Sequence, residues 1–185
     1  MGTFSIEGGH KLKGSIYPQG AKNEALQVIC AALLTKDEVI INNIPEIIDV
    51  INLIDLLSSL GVKVSRISKN KYSFKSDNIN LDFLLSKSFK EKGSGLRGSI
   101  MIIGPLLTRF GKAYIPRPGG DKIGRRRLDT HFLGLIELGA NFKYDREEHF
   151  YGVEAKKLNG KKILLDQASV TGTANILMAA VLPTE

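Results

Sequence analysis

The spacing of apolar positions changes along the chain, and each change marks an element. From Thr3 to Tyr17 apolar and polar residues alternate around Gly8-Gly9, which predicts one or two short strands with a turn at the glycines. After Gly20 the spacing becomes helical: Ala25, Leu26, Val28, Ile29, Ala32 and Leu33 predict a helix that opens at Gly20-Ala21-Lys22-Asn23-Glu24 and runs to about Thr35. A strand over Val39 to Asn42 follows, then Ile44-Pro45. A second helix is predicted from about Asp49, whose carboxylate suits an N-cap, to Leu60, where Gly61 ends it. Val62 to Ile67 and Lys71 to Lys75 read as a strand pair.

The same order then recurs. Leu96 to Thr108 repeats the first apolar helix, with Leu33-Leu34-Thr35 falling on Leu106-Leu107-Thr108; Ile115-Pro116 repeats Ile44-Pro45, and Leu138-Gly139-Ala140-Asn141-Phe142 repeats Leu60-Gly61-Val62-Lys63-Val64. A third copy of the helix begins at Val170 and carries Thr173 to Leu182. Each unit reads as helix, strand, helix, strand, strand, so the expected class is α/β, with helices on one side of small sheets and units repeated about a pseudo-axis. The units span about 21–92 and 93–168, with a third starting at 169–185. A third unit reduced to its first helix cannot cover its own apolar face, so a longer protein is expected.

Composition narrows the class without changing this picture. No apolar run reaches the ~18 residues of a membrane span, and Met1 to His10 lack the apolar core of a signal peptide, so a cytoplasmic location is expected. Cys30 is the single cysteine; it rules out a disulfide within the chain and a multi-cysteine metal site, and its place in the first helical stripe predicts a packing residue. The net charge of +7 is concentrated. Between Lys90 and Arg127 ten cations face two acids, Glu91 and Asp121, which implies an anionic partner. Tyr114 is the one aromatic between Phe110 and Phe132, too few for base stacking, so a phosphorylated metabolite is favoured over nucleic acid.

The chemistry centres on Pro118 to His131, which reads Pro-Gly-Gly-Asp-Lys-Ile-Gly-Arg-Arg-Arg-Leu-Asp-Thr-His. A Gly-Gly turn lets backbone approach a ligand, and Asp121 stands there before Lys122, Arg125, Arg126 and Arg127, whose guanidinium forks match phosphate and carboxylate. Gly93-Ser94-Gly95-Leu96-Arg97-Gly98 matches the dinucleotide fingerprint in letters only. The charged run Ser88 to Lys92 before it reads as a turn, where that fingerprint needs a buried strand. The glycines instead mark a loop before a helix, with an anion favoured near Arg97. Lys22 at a helix start opposes the helix dipole and has no structural reason in the sequence, which points to an anionic ligand; Asn23 either caps that helix or meets the same ligand. His10 and His149 are isolated, and His131 is expected to order the arginine loop.

Ala21-Lys22-Asn23-Glu24-Ala25-Leu26, the Arg97 segment, Pro118-Gly119-Gly120 with Ile123-Gly124 and Arg126, and the Asp129/His131 pair resemble, in order, the enolpyruvyl transferase family in its UDP-N-acetylglucosamine 1-carboxyvinyltransferase branch. The resemblance implies an inside-out α/β barrel, a domain at 21–185, and residues 1–20 belonging with a C-terminal domain beyond the chain. It implies transfer of the enolpyruvyl group of phosphoenolpyruvate to the 3-hydroxyl of UDP-N-acetylglucosamine for peptidoglycan synthesis, by a protein that is monomeric when full length and uses neither cofactor nor metal. Lys22 and Asn23 would meet phosphoenolpyruvate; Arg97, Arg126, Asp129, Ser169 and Val170 would hold the UDP-sugar; Asp121 would donate the proton. Arg127 replaces the family's Pro and Gln167 a more usual Lys. Most members carry Cys where this chain has Asp121, so a thiol-directed epoxide such as fosfomycin would lack its target. The sugar-deprotonating carboxylate would lie past Glu185, leaving the 185 residues inactive alone. Rival readings are the sister enzyme acting on shikimate 3-phosphate and a non-catalytic anion- or nucleic-acid-binding domain.

Overall fold

The structure, a computed structural model, describes residues 2–119 and 127–182. Two units of the same plan fill most of it. In the first, helix α1 (Lys22–Ala31) runs through a 3-10 turn (Ala32–Leu34) into strand β1 (Glu38–Ile41), helix α2 (Ile48–Ser59) and the hairpin β2 (Lys63–Ser68) and β3 (Lys71–Lys75). In the second, a 3-10 turn (Arg97–Ile102) continues as α4 (Ile103–Phe110), followed by β4 (Lys112–Pro116), α5 (Asp129–Glu137), β5 (Asn141–Asp145) and β6 (Phe150–Glu154). Between the units lie a 3-10 turn (Leu81–Leu85) and α3 (Lys87–Ser94); α6 (Val170–Ala180) closes the described chain.

Each sheet has three antiparallel strands with the last strand in the middle, in the orders β1-β3-β2 and β4-β6-β5. Phe74 faces Val39 on one side and Val64 on the other, and Val153 stands likewise between Ala113 and Phe142. The units agree down to single bonds. The hairpin tips Asn70 and His149 both take positive φ, 59° and 56°, and their carbonyls accept from Ile44 N and Arg117 N. Gly61 and Gly139 end α2 and α5 at φ of 107° and 100°, a backbone open to glycine and closed to most side chains.

The apolar stripes of α1, α2, α4, α5 and α6 meet the inner sheet faces in one core. Ile29, Cys30, Leu53, Phe74, Leu106 and Leu135 are inaccessible, so Cys30 is the packing residue its position predicts; burial pushes its thiol pKa far up. Arg109 joins the two units: its guanidinium donates to the carbonyls of Leu33, Thr35 and Ser76 at 2.6, 3.1 and 2.9 Å.

Three expectations are corrected. The alternation over Thr3 to Tyr17 forms no strand here; Phe4, Ile6, Leu12, Ile16 and Tyr17 are all at least 88% exposed, because a strand needs an edge to pair with and none lies beside them. The charged run Ser88 to Lys92 is helix: the Ser86 hydroxyl caps α3 by accepting from Phe89 N at 3.1 Å, and Phe89 is buried while Lys90 and Lys92 turn out to Glu148 and Asp55. Asp49 does not cap α2. Ile47 is the N-cap residue, no side chain caps that end, and Asp49 lies in the first turn. Among the described residues no helix is long and apolar enough to cross a membrane.

Candidate substrate site at the helix N-termini

The first helices of the units, α1, the Arg97–Phe110 stretch and α6, pack on one another, and α5 lies against α6. The packing rests on close approaches. Leu26 of α1 sits over Gly98, Gly104 is pressed to the Asn175 carbonyl, and Gly172 lies between Ser169 and Thr130. Lys22 opens α1, Arg97 the 3-10 turn that leads into α4, and Asp129 α5, while Ser169 and Val170 stand at the start of α6, so the expected site residues lie at the starts of helices that pack together.

Lys22 is the first residue of α1, with Ala21 as an N-cap residue whose side chain cannot accept a bond. Its Nζ donates to Asp49 Oδ2 at 2.7 Å, with both side chains about two-fifths exposed (41% and 36%). This is the structural reason that the sequence did not show: the cation that opposes the dipole of α1 meets a carboxylate favoured by that of α2. Lys22 stays open to solvent on its other side. Asn23 is exposed one position further on, inside the helix, so it is not the cap.

Around Arg97 the contacts are denser. Its guanidinium donates to the Arg127 carbonyl at 3.2 Å. Arg127 Nε in turn donates to both Asp129 carboxylate oxygens at 2.9 Å, and its Nη2 reaches Asp166 Oδ2 at 2.6 Å. Arg127 thus holds the Asp129 carboxyl below its usual range, and the two carboxylates raise the guanidinium further above its own. Asp129 opens α5 but does not cap it. Ser169 does cap α6: its hydroxyl oxygen accepts from Gly172 N at 3.0 Å, beside the exposed Val170.

The loop is described only at its flanks. Gly119 rests against the Ser94 carbonyl, where a Cβ would come to 2.0 Å, and Arg127 lies on Arg97, so both flanks meet the segment that carries Arg97. Asp121 and Arg126, the expected proton donor and one expected sugar contact, lie outside the described residues. Of the described cations in the basic window, Lys90 and Lys92 pair with Glu148 and Asp55, Arg109 donates to backbone carbonyls, Lys112 and Arg117 stand at the two ends of β4, and Arg97 and Arg127 lie at the candidate site.

His131 is buried, with 2% of its surface exposed, and its ring bonds face α6. Nδ1 faces Asn175 Nδ2 at 3.1 Å and Nε2 faces Thr171 Oγ1 at 3.2 Å. Burial, and secondarily the charge of Arg97, pushes its pKa down from 6.5 to about 4. Asp49, Asp166, Thr171 and Asn175 were missed in the sequence; Asp49 and Asp166 join their cations across 27 and 39 residues, where no local spacing signals a pair. Among the described residues no cluster of His, Cys, Asp and Glu is placed to hold a metal ion.

The family model for EPSP synthase (3-phosphoshikimate 1-carboxyvinyltransferase) matches residues 6–185. The chain belongs to the EPSP synthase family. Within it, the chain is 60% identical to the UDP-N-acetylglucosamine 1-carboxyvinyltransferase of Bacteroides fragilis, over 98% of this chain and 42% of that protein. It is 58% identical to the one of Porphyromonas gingivalis and 44% identical to the one of Treponema denticola, with similar coverage. The chain therefore spans about two-fifths of the length of these EPSP synthase family relatives (42%, 42% and 41%). In fold it matches the enolpyruvyl transferase NikO of Streptomyces tendae, with a TM-score of 0.68 at 16% identity over 95% of this chain and 40% of that one. EPSP synthase of Acinetobacter baumannii matches at a TM-score of 0.64 over 92% of this chain and 38% of that one. The fold expected from the sequence, repeated α/β units of the enolpyruvyl transferase type, is the fold found.

Proposed function

We propose that this chain forms the first domain of a cytoplasmic transferase that moves the enolpyruvyl group of phosphoenolpyruvate to the 3-hydroxyl of UDP-N-acetylglucosamine, the committing step of peptidoglycan synthesis. The supporting observation is the bonded set Arg97, Arg127 and Asp129 at the starts of packed helices, with Lys22 and Ser169 opening further helices packed on the same stretch, which puts guanidinium, ammonium and hydroxyl donors of the kind two anionic substrates need at helix starts. The choice of acceptor follows the relatives named above rather than the family name, since shikimate 3-phosphate would draw on the same anion-binding features.

In this reading Lys22 meets the phosphate of phosphoenolpyruvate, with Asn23 beside it, and Arg97 and Arg126 hold the anionic ends of the substrates. Asp129, Ser169 and Val170 line the UDP-sugar. The 3-hydroxyl gives up its proton to a carboxylate of the full-length protein as its oxygen bonds to the central carbon of phosphoenolpyruvate, while Asp121 gives a proton to the methylene. The tetrahedral adduct then loses phosphate and a methyl proton to restore the double bond. Neutralising donors fixed around the adduct lower its energy most where a second domain excludes water, and in this reading residues 1–20 belong with that domain. The full-length protein, monomeric in this reading, is tested by phosphate release from phosphoenolpyruvate with each acceptor offered separately. Turnover that needs UDP-N-acetylglucosamine is expected; turnover with shikimate 3-phosphate alone refutes the reading.

A further inference from the structure

We propose that the Thr171 hydroxyl contacts the sugar nucleotide and that His131 is the positioning residue that aims it. The inference deepens the reading above and rests on it.

The argument starts from Asn175, which is fully buried on α6 and bonded on every side. Its Oδ1 accepts from the Gly104 backbone N–H at 2.7 Å, which fixes the orientation of the amide, because an N–H cannot be met by another donor. Its Nδ2 must then donate to the Ile100 carbonyl at 3.1 Å and to His131 Nδ1 at 3.1 Å. Nδ1 is therefore an acceptor, and the neutral ring carries its proton on Nε2. That N–H donates to Thr171 Oγ1 at 3.2 Å.

The chain of bonds runs one way and ends at a surface. Thr171 is exposed in the first turn of α6, next to Ser169 and Val170, and its oxygen accepts the histidine N–H, so its own proton is directed outward as a donor. The Ser169 oxygen is engaged in the same way by Gly172 N, so two hydroxyl donors stand at one helix start with their oxygens pinned. Donors held in advance suit phosphate or sugar oxygens, since little rotamer freedom is lost on binding. The same asparagine grips the backbone of the Arg97–Phe110 stretch, so Arg97, Asp129 on α5 and Thr171 on α6 share one buried reference point.

In the full-length protein, Thr171→Val is expected to raise KM for UDP-N-acetylglucosamine about tenfold, the worth of one hydrogen bond, with kcat and KM for phosphoenolpyruvate little changed. Thr171→Ser restores the wild-type KM. His131→Gln raises the same KM, and the double variant is no worse than Thr171→Val, since the two side chains act through one contact. A wild-type KM in Thr171→Val overturns the proposal, as does equal loss in all three parameters. If His131→Gln does not fold, nitrogen NMR of the wild-type ring decides the positioning role: a proton on Nε2 supports it, one on Nδ1 overturns it. Failure of the wild-type protein to use UDP-N-acetylglucosamine sinks the functional reading and this inference together, whereas normal turnover with an unaffected Thr171→Val sinks this inference alone.

Discussion

His131 enters the core uncharged, and that has a sign in pH. Its pKa falls from 6.5 to about 4 on folding, so the unfolded chain takes up a proton that the native state refuses. The stability it permits is complete above about pH 6.5 and declines as the pH falls toward 4, by roughly 3 kcal/mol in all. Denaturant titrations at pH 7 and 4.5 are expected to show the drop in the wild type and a flatter profile in His131→Gln. Asp129, Glu46 and Asp77, whose carboxyls are held low by their cations and, for Glu46, first by Tyr72, add their own losses only as the pH falls below the ordinary carboxylate range. The Lys22–Asp49 pair is different in kind. Both partners are part-exposed, so Asp49→Asn is expected to cost less than about 1 kcal/mol, and by freeing Lys22 to lower KM for phosphoenolpyruvate in the full-length protein. Asp121 carries a prediction from chemistry alone: fosfomycin is expected to leave no adduct on the intact protein by mass spectrometry, because a carboxylate replaces the thiolate that such an epoxide alkylates. Lys22, Arg97 and Arg127 were visible as cations in the sequence, and Asp129 lies only two residues from Arg127. Asp49 and Asp166 were not legible as partners, because the fold, not the spacing, brings them to Lys22 and Arg127.

The helices were legible where apolar residues recurred at helical spacing, as along Ala25 to Leu33 and Leu96 to Thr108. Helix α3 was not, because one buried side chain, Phe89, anchors a helix whose other positions are charged, serine or glycine, and its start depends on the Ser86 cap. The repeat was readable for a physical reason: the glycines after α2 and α5 recur where each helix must turn back into a strand. Close helix contacts give the prediction at this scale. A Cβ on Gly104 would lie 2.2 Å from the Asn175 carbonyl oxygen, and backbone cannot step aside as a side chain can. Gly104→Ala is expected to cost about 2–3 kcal/mol in urea denaturation, whereas Ser169→Ala, which removes only a cap, costs about 1 kcal/mol.

At the scale of the molecule, the alternating pattern of residues 3–17 predicted strands that the structure does not form. The five exposed apolar side chains there are expected to gain protection from hydrogen exchange at their amides when the downstream sequence is present, and to show little in the 185-residue chain. Arg109 has the opposite character, since its contacts are complete within the chain. One guanidinium draws carbonyls from the end of the first apolar helix and from beyond the first hairpin onto the second unit. A gene divided between Gly95 and Leu96 would yield two halves that share one apolar core, a Lys90–Glu148 ion pair and the Arg109 clasp across the cut. Mixed as separate polypeptides, they should bind more weakly once Arg109 is replaced, which makes that cation a natural lever for a split reporter.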